Sequence, residues 1–249
     1  MKISLRLWAL WLLLAGAVAT FADSRLDTAL LNAAASGQVT QVKSLLSQGA
    51  KVNARDRNGW TPLMRAAEAG HAEVVRALLD NGAKVNVKQN NGWTPLLLAA
   101  REAHGEIVKM LLNEKANIQA KHNGRTAFHL AAESGCRECL AALIARRKAG
   151  IHEKDKNGAT PLILAARGGH AGAVKLLLLN KAKVNERSKD GWTALLAAVQ
   201  GGHKECVRAL LAARANPRVK RKGVSALRMA QIEGDAELAR MLQAAGAKK

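Results

Sequence analysis

The chain has 249 residues, 49% of them apolar but only 3% aromatic, with no tyrosine. This length can bury a core in one or two domains, and the composition excludes a core filled by large rings. Leu, Ala and Val must do the packing, and the Ala-rich, Pro-poor content favours helices. With 39 Lys and Arg against 19 Asp and Glu, the formal net charge of +20 favours acidic proteins, phosphate-bearing polymers or anionic membrane surfaces as partners, without selecting among them.

In chain order, the first feature is a pair of cations, Lys2 and Arg6, ahead of an apolar run over 7–19. This is the pattern of a secretory signal peptide, and the run is too short to span a membrane comfortably. Small residues at Ala17 and Ala19, or at Thr20 and Ala22, place cleavage so that the mature chain begins near Thr20 or Asp23, with Asp23 preferred. An uncleaved anchor is the alternative; no cysteine near the junction offers a site for lipid. Removal of 1–22 leaves 37 cations against 19 carboxylates, a net charge of +18.

From there the chain repeats itself. Taking the glycine of NGWTPL as origin, the pattern recurs at Gly59, Gly92, Gly124, Gly158, Gly191 and Gly223, with spacings of 33, 32, 34, 33 and 32. A first unit without its glycine precedes them, giving seven units at about 23–55, 56–88, 89–121, 122–154, 155–187, 188–219 and 220–249. The unit openings GWTPLMRAA, GWTPLLLAA, GRTAFHLAA, GATPLILAA and GWTALLAAV at this period resemble the ankyrin repeat. The resemblance implies an all-α solenoid of helix-turn-helix units joined by hairpin loops.

Local chemistry predicts the same elements. Thr61, Thr94 and Thr160 are placed to cap a first helix, with Pro62, Pro95 and Pro161 at its first position. Gly70, Gly135, Gly169 and Gly202 fall where that helix must turn, and a second apolar stretch such as Val74, Val75, Leu78 and Leu79 follows at helical spacing. Helices this short need stacked neighbours, so the terminal units should be polar caps. Gln41 at one end, and Gln231, Glu233, Asp235 and Glu237 at the other, fit that role.

No catalytic constellation stands out, and neither a cofactor nor a small-molecule substrate is implied. His71, His104, His170 and His203 recur one per unit, roughly 10 Å apart if the helices stack normally. That is too far for shared ligation, so no metal site is expected, and each should bond to backbone. Cys136 and Cys139 form a C-x-x-C at a helix start, which fits a disulfide, a thiol redox pair or, for Cys139 and Cys206, a plain buried hydrophobe. Lys115, Arg147, Lys181 and Arg214 replace the glycine that should end the second helix, either by drift or as a basic row. The loop RANPRVKRKG gathers Arg214, Arg218, Lys220, Arg221 and Lys222, a solvated run or an anion-contacting one.

The family resemblance places partner contacts at the hairpin tips and the concave face of the first helices. Carried onto this chain, the tip positions are Arg57, Trp60, Asn90, Trp93, Arg125, Lys156, Lys189, Trp192 and Lys222. Cations and tryptophans are frequent interface anchors. The expectation is therefore a monomeric bacterial protein, periplasmic or secreted, that binds an acidic protein without catalysis. Binding of an anionic polymer or membrane surface through the basic edge and the 214–222 loop is the alternative, and a thiol oxidoreductase the more distant one. Nucleic acid is not expected as the partner of an exported chain.

Overall fold

The computed structural model describes residues 24–247, the side chains of 148 and 149 excepted. The signal peptide expected over 1–22 lies outside the described residues. Helices come in antiparallel pairs within two compact units that divide at Pro95. The first unit holds α1 (24–35), α2 (Val39–Ser47), α3 (Pro62–Ala69) and α4 (Ala72–Asp80). The second runs from α5 (Pro95–Arg101, its first residue at the division) through α6 (Gly105–Asn113), α7 (Ala127–Glu133), α8 (Arg137–Arg146) and a 3-10 turn (Lys148–His152). It continues with α9 (Pro161–Arg167), α10 (Ala171–Leu179), α11 (Ala194–Gln200) and α12 (Lys204–Ala212). A short hairpin, β1 (Lys220–Arg221) and β2 (Val224–Ser225), then leads into α13 (Ala226–Ile232) and α14 (Ala236–Ala244).

Each first helix starts where a hydroxyl can satisfy an orphan amide. Thr61 accepts from the Met64 amide at 3.3 Å, Thr160 from Ile163 at 3.4 Å and Thr193 from Leu196 at 3.2 Å. Pro62 and Pro161 occupy the first helical turn, where a missing N–H costs nothing. The following Ala-Ala pairs, among them Ala66 and Ala67, Ala131 and Ala132, Ala165 and Ala166, are completely buried. With only a methyl group at these positions, successive first helices approach closely, and in the second unit α7 packs on α9, α9 on α11 and α11 on α13. A second layer runs beside it, α6 on α8, α8 on α10 and α10 on α12. Leu78, Leu111, Leu140, Leu177 and Leu210 fill the space within each unit's own helix pairs.

The turn between paired helices needs a left-handed residue. Gly169 (φ 74°) supplies it, and a Cβ there would lie 2.6 Å from Nδ1 of His203, so glycine is required twice over. That histidine is a brace: its Nε2 meets the Arg167 carbonyl of the preceding repeat at 3.0 Å, as His71 does with Ala35 (3.0 Å) and His170 with Glu133 (2.8 Å). In the third repeat the left-handed position is held by Ala103 (φ 63°), at a cost of about 1 kcal/mol.

Three of the four cations expected at the end of the second helix do take the left-handed conformation: Lys115 (φ 60°), Lys181 (φ 70°) and Arg214 (φ 63°). Arg147 does not. Its φ is −153°, because the 34-residue spacing of this repeat adds a residue that is absorbed in the 3-10 turn, and its guanidinium pairs with Glu153 at 3.4 Å. The polar-cap expectation meets an exception at Ile232, an exposed apolar side chain of the last repeat; Leu179 on α10 is another exposed apolar residue.

Candidate protein-binding surface

Four of the hairpins that precede a first helix are built on a polar side chain three residues before the origin glycine, Asp56, Gln89, Asp155 and Ser188. In the first unit Asp56 Oδ1 accepts from the Asn58 and Trp60 amides, both at 2.9 Å, while Oδ2 takes Arg65 Nη2 at 2.8 Å. Burial pushes the Asp56 carboxyl up, but the amides and the Arg65 guanidinium together outweigh it and hold the group below its ordinary value. In the next hairpin Gln89 does the same work, its Oε1 accepting from Asn91 at 2.8 Å. In the second unit Asp155 accepts from Asn157 (2.8 Å) and Ala159 (2.9 Å), and Ser188 from Trp192 (3.0 Å).

Adjacent hairpins are laced by backbone. The Asn90 amide donates to the Asn58 carbonyl at 3.3 Å in the first unit, and Lys189 to Asn157 at 2.8 Å in the second. In the second unit this spacing sets Lys156 and Lys189 on successive tips, both exposed. Arg57 is likewise exposed on its tip in the first unit, with Asn90 Nδ2 on its carbonyl at 3.3 Å.

The tryptophans are half-buried rather than free-standing. The Arg65 guanidinium lies 4.3 Å from the Trp60 ring centroid, and Arg221 lies 4.1 Å from that of Trp192. One face of each of these indoles is thus covered by a cation, and the unit offered to a partner is a composite of ring and guanidinium. Sequence reading missed both partners: Arg65 sits inside the AA-rich helix start and Arg221 in the next hairpin, and only the spacing of one repeat to the next brings the latter over the ring.

Arg125 is removed from the set of tip cations available to a partner. Its Nη1 pairs with Glu133 at 2.5 Å and its Nε stands 3.7 Å from the buried Asp155 carboxylate, so its charge is used within the fold. Lys222 is exposed, as are Arg214, Arg218 and Lys220.

Carboxylates of the second unit lie both on the hairpin segments (Glu153, Asp155, Glu186 and Asp190) and on the second helices (Glu106, Glu138, Glu205 and Glu237). On the second helices Lys109 pairs with Glu138 (2.5 Å) and Lys204 with Glu237 (2.6 Å), while Arg208 reaches both Glu205 and Glu237. Exposed pairs of this kind add little stability, about 0–1 kcal/mol each. The hairpin segments pair some of their charge as well, Arg147 with Glu153 (3.4 Å) and Lys154 with Glu186 (2.6 Å), while Lys156, Lys189, Lys220 and Lys222 are in no ion pair among the described residues.

A further polar groove of about 740 Å³ lies within the first unit, between α1 and the following hairpin. Asp27, Thr28, Lys51, Arg55, Arg57 and Arg65 line it. Nothing in the repeat pattern announces it.

Cys136 and Cys139 are joined by a disulfide at the start of α8, and both are buried. Cys136 occupies the slot that a brace histidine holds in other repeats, with its sulfur 3.5 Å from the Ala103 carbonyl. Burial pushes the Cys206 thiol up to about 11, an unreactive state at neutral pH. Replacing both linked cysteines by serine should cost about 2 kcal/mol, the value expected for so short a loop, with a matching loss when the wild type is reduced. Urea unfolding with and without reductant checks this. Equal midpoints in all four samples would show that the bond contributes nothing.

His129 is the other residue the motifs did not announce. It takes the position of Met64, Ile163 and Leu196 in other repeats and is fully buried. Its Nδ1 lies 2.8 Å from Thr126 Oγ1 and accepts from the Thr126 amide at 3.2 Å, while Nε2 has no hydrogen-bond partner. Burial is the main force that lowers its pKa to about 4, against a partial upward pull from Asp155.

Among the described residues, no group of three His, Cys, Asp or Glu could hold a metal ion, and no helix is long and apolar enough to cross a membrane. A surface of stacked hairpins with cations and half-covered indoles is suited to recognition.

Comparison with known proteins agrees with this architecture. The family model described as ankyrin repeats (3 copies) matches residues 6–89, 81–155, 115–188, 145–221 and 162–249. The crystal structure of the human ASB11 ankyrin repeat domain is similar at 30% identity and a TM-score of 0.80, covering 88% of this chain and 98% of that one. A chain in the structure of Bd0816, a predatory endopeptidase from Bdellovibrio bacteriovorus, in complex with immunity protein Bd3460 is also 30% identical. Its TM-score is 0.66, over 73% of this chain and 96% of its own. No curated protein matches in sequence. Since the repeat models span nearly the whole sequence and the solved relatives share both fold and identity, the chain belongs to the ankyrin-repeat family, whose members are protein-binding modules.

Proposed function

We propose that this chain is an exported, non-catalytic binding protein that captures a protein with an acidic surface. The observation that carries the reading is the set of tip cations left over in the second unit: Lys109 and Lys204 are paired with carboxylates on the second helices, while Lys156, Lys189 and Lys222 stand exposed on the hairpins in no ion pair among the described residues, with Lys189 on the same hairpin as Trp192. The first unit presents the same chemistry through Arg57, Trp60 and Trp93. Long-range charge speeds the encounter, and the ring-guanidinium composites supply buried contact area at small entropic cost.

The export reading rests on the charged start and apolar run of 1–22, which places the partner in the periplasm or outside the cell. A narrower form is neutralisation of an enzyme by occlusion. It is supported by the likeness to a chain in the complex of a predatory endopeptidase with its immunity protein.

Affinity capture from cell-envelope extract, at low and high salt, with mass spectrometry of what is retained, tests the reading. Against the captured protein, the triple change of Trp60, Trp93 and Trp192 to Ala should weaken binding by about a hundredfold, roughly 3 kcal/mol, with the helical circular dichroism intact. Unchanged affinity would remove the tryptophan surface as the contact.

A further inference from the structure

The last hairpin departs from those of Asp56 and Asp155 and shares its build with the hairpin at Gly124, where Lys121 stands three residues before the glycine, His122 bridges Arg125 and Asn123 is left-handed (φ 51°). Three residues before the origin glycine, where Asp56 and Asp155 anchor their turns, this hairpin has Lys220. The turn is held instead by a backbone ladder, Lys220 opposite Ser225 and Arg221 opposite Val224, with Lys222 at its tip in the left-handed conformation (φ 47°). An internal carboxylate has been exchanged for a cation.

The arginines around it are fixed by carbonyls. Arg187 Nη2 donates to the Lys220 carbonyl at 3.0 Å, Arg218 Nε to Gly246 at 3.1 Å and Arg221 Nε to Asp190 at 3.1 Å. A carbonyl orients a guanidinium without neutralising it. Arg218 and Arg221 use Nε for this purpose, which leaves the Nη1 and Nη2 fork of each with no hydrogen bond among the described residues, and Arg221 is steadied further by the Trp192 ring. Residues 187–192 and 218–225 together hold six Lys and Arg and one Asp, a net charge of +5.

A fixed fork matches two oxygens of one carboxylate, and its orientation has been set before binding, so little rotamer entropy remains to be lost. A membrane is disfavoured because Val219 is buried and the tip of the hairpin, Lys222–Gly223, carries no apolar side chain to enter an acyl layer.

We propose that the 218–222 hairpin docks an acidic polypeptide segment of the partner, with carboxylates engaging the forks of Arg218 and Arg221 and Lys189, Lys220 and Lys222 providing long-range attraction. The proposal rests on the reading of this chain as a protein-binding module and adds which segment of a partner lies where.

The test is calorimetric titration of the full chain with an octaglutamate peptide, with polyphosphate and with anionic phospholipid vesicles. Wild type is compared with the double variants Arg218→Lys, Arg221→Lys and Arg218→Gln, Arg221→Gln. Octaglutamate should bind best. The lysine variant, which keeps charge but loses the fork, should bind it about tenfold more weakly, and the glutamine variant more weakly still. Equal affinity for the lysine variant and wild type would overturn the fork. Absence of octaglutamate binding, or tighter binding of polyphosphate or vesicles through the same two arginines, would overturn the polypeptide assignment. If both variants still hold a captured partner at wild-type affinity, the docking site falls while the protein-binding reading stands. If wild type captures no protein at all, that reading falls with it.

Discussion

Lowering the pH from 7 to 5 is expected to destabilise the protein by about 2 kcal/mol through His129 alone, rising to about 3 kcal/mol by pH 4. The sign follows from where the proton goes. The unfolded chain binds it with the ordinary pKa of 6.5, whereas the folded chain resists it down to about 4. Above pH 6.5 both states are neutral and nothing is lost. Between 6.5 and 4 only the unfolded state gains the proton, so folding weakens as pH falls through that window.

The geometry explains the resistance. The ring is fully buried, Nδ1 serves as acceptor for the Thr126 amide in the cap of α7, and a second proton would end that hydrogen bond. The favourable charge of Asp155 is itself turned towards two amides and Arg125. Urea unfolding at pH 7, 6 and 5 reads the effect against His129→Leu, which installs the side chain found at Leu196. The variant should lose most of the slope. If wild type and variant fall in parallel from pH 7 to 5, His129 is not the sensor.

Asp155→Ala should destabilise the chain by about 3 kcal/mol, since it strands two backbone amides that now donate to a charged, buried acceptor. Asn157 and Ala159 lose their partner, and Arg125 loses one of its two carboxylates while keeping Glu133. The removed group also carried a desolvation cost, which keeps the total below the sum of the bonds. The protein contains its own milder version: Ser188, at the equivalent position of the next repeat, makes one such bond, to Trp192. Asp155→Ser should therefore fall between wild type and Asp155→Ala in urea midpoint. Coincidence of the two variants would mean that the amides are satisfied some other way.

The two predictions differ in how far the sequence could have announced them. The period near 33, the Thr caps, the prolines at helix starts and the Ala-Ala pairs are all local signals, and they led to the helix pairs found. Asp155 stands at a fixed offset from a glycine and can be recognised once Asp56 is known. His129 could have been noticed only as the one imidazole where other repeats carry Met, Leu or Ile. Its consequence depends on complete burial, which no local pattern states.

The tip residues divide in the same way. Exposure of Lys156, Lys189 and Lys222 follows from the hairpin register. Internal use of Arg125, and the covering of Trp60 by Arg65 and of Trp192 by Arg221, do not. Position alone groups Arg147 with Lys115, Lys181 and Arg214, yet one inserted residue and the 3-10 turn move it to Glu153.

By itself, the sequence determined the repeat unit: where each helix begins, where it turns and which face stacks, because caps, left-handed glycines and apolar periodicity act within a few residues. Only the tertiary structure decided which charges remain available to a partner. A guanidinium reaches a ring or carboxylate of its own repeat, as Arg65 reaches Trp60 and Arg147 reaches Glu153, or a group on the neighbouring repeat, as Arg125 reaches Asp155 and Arg221 reaches Trp192, and the packing of stacked repeats selects among them.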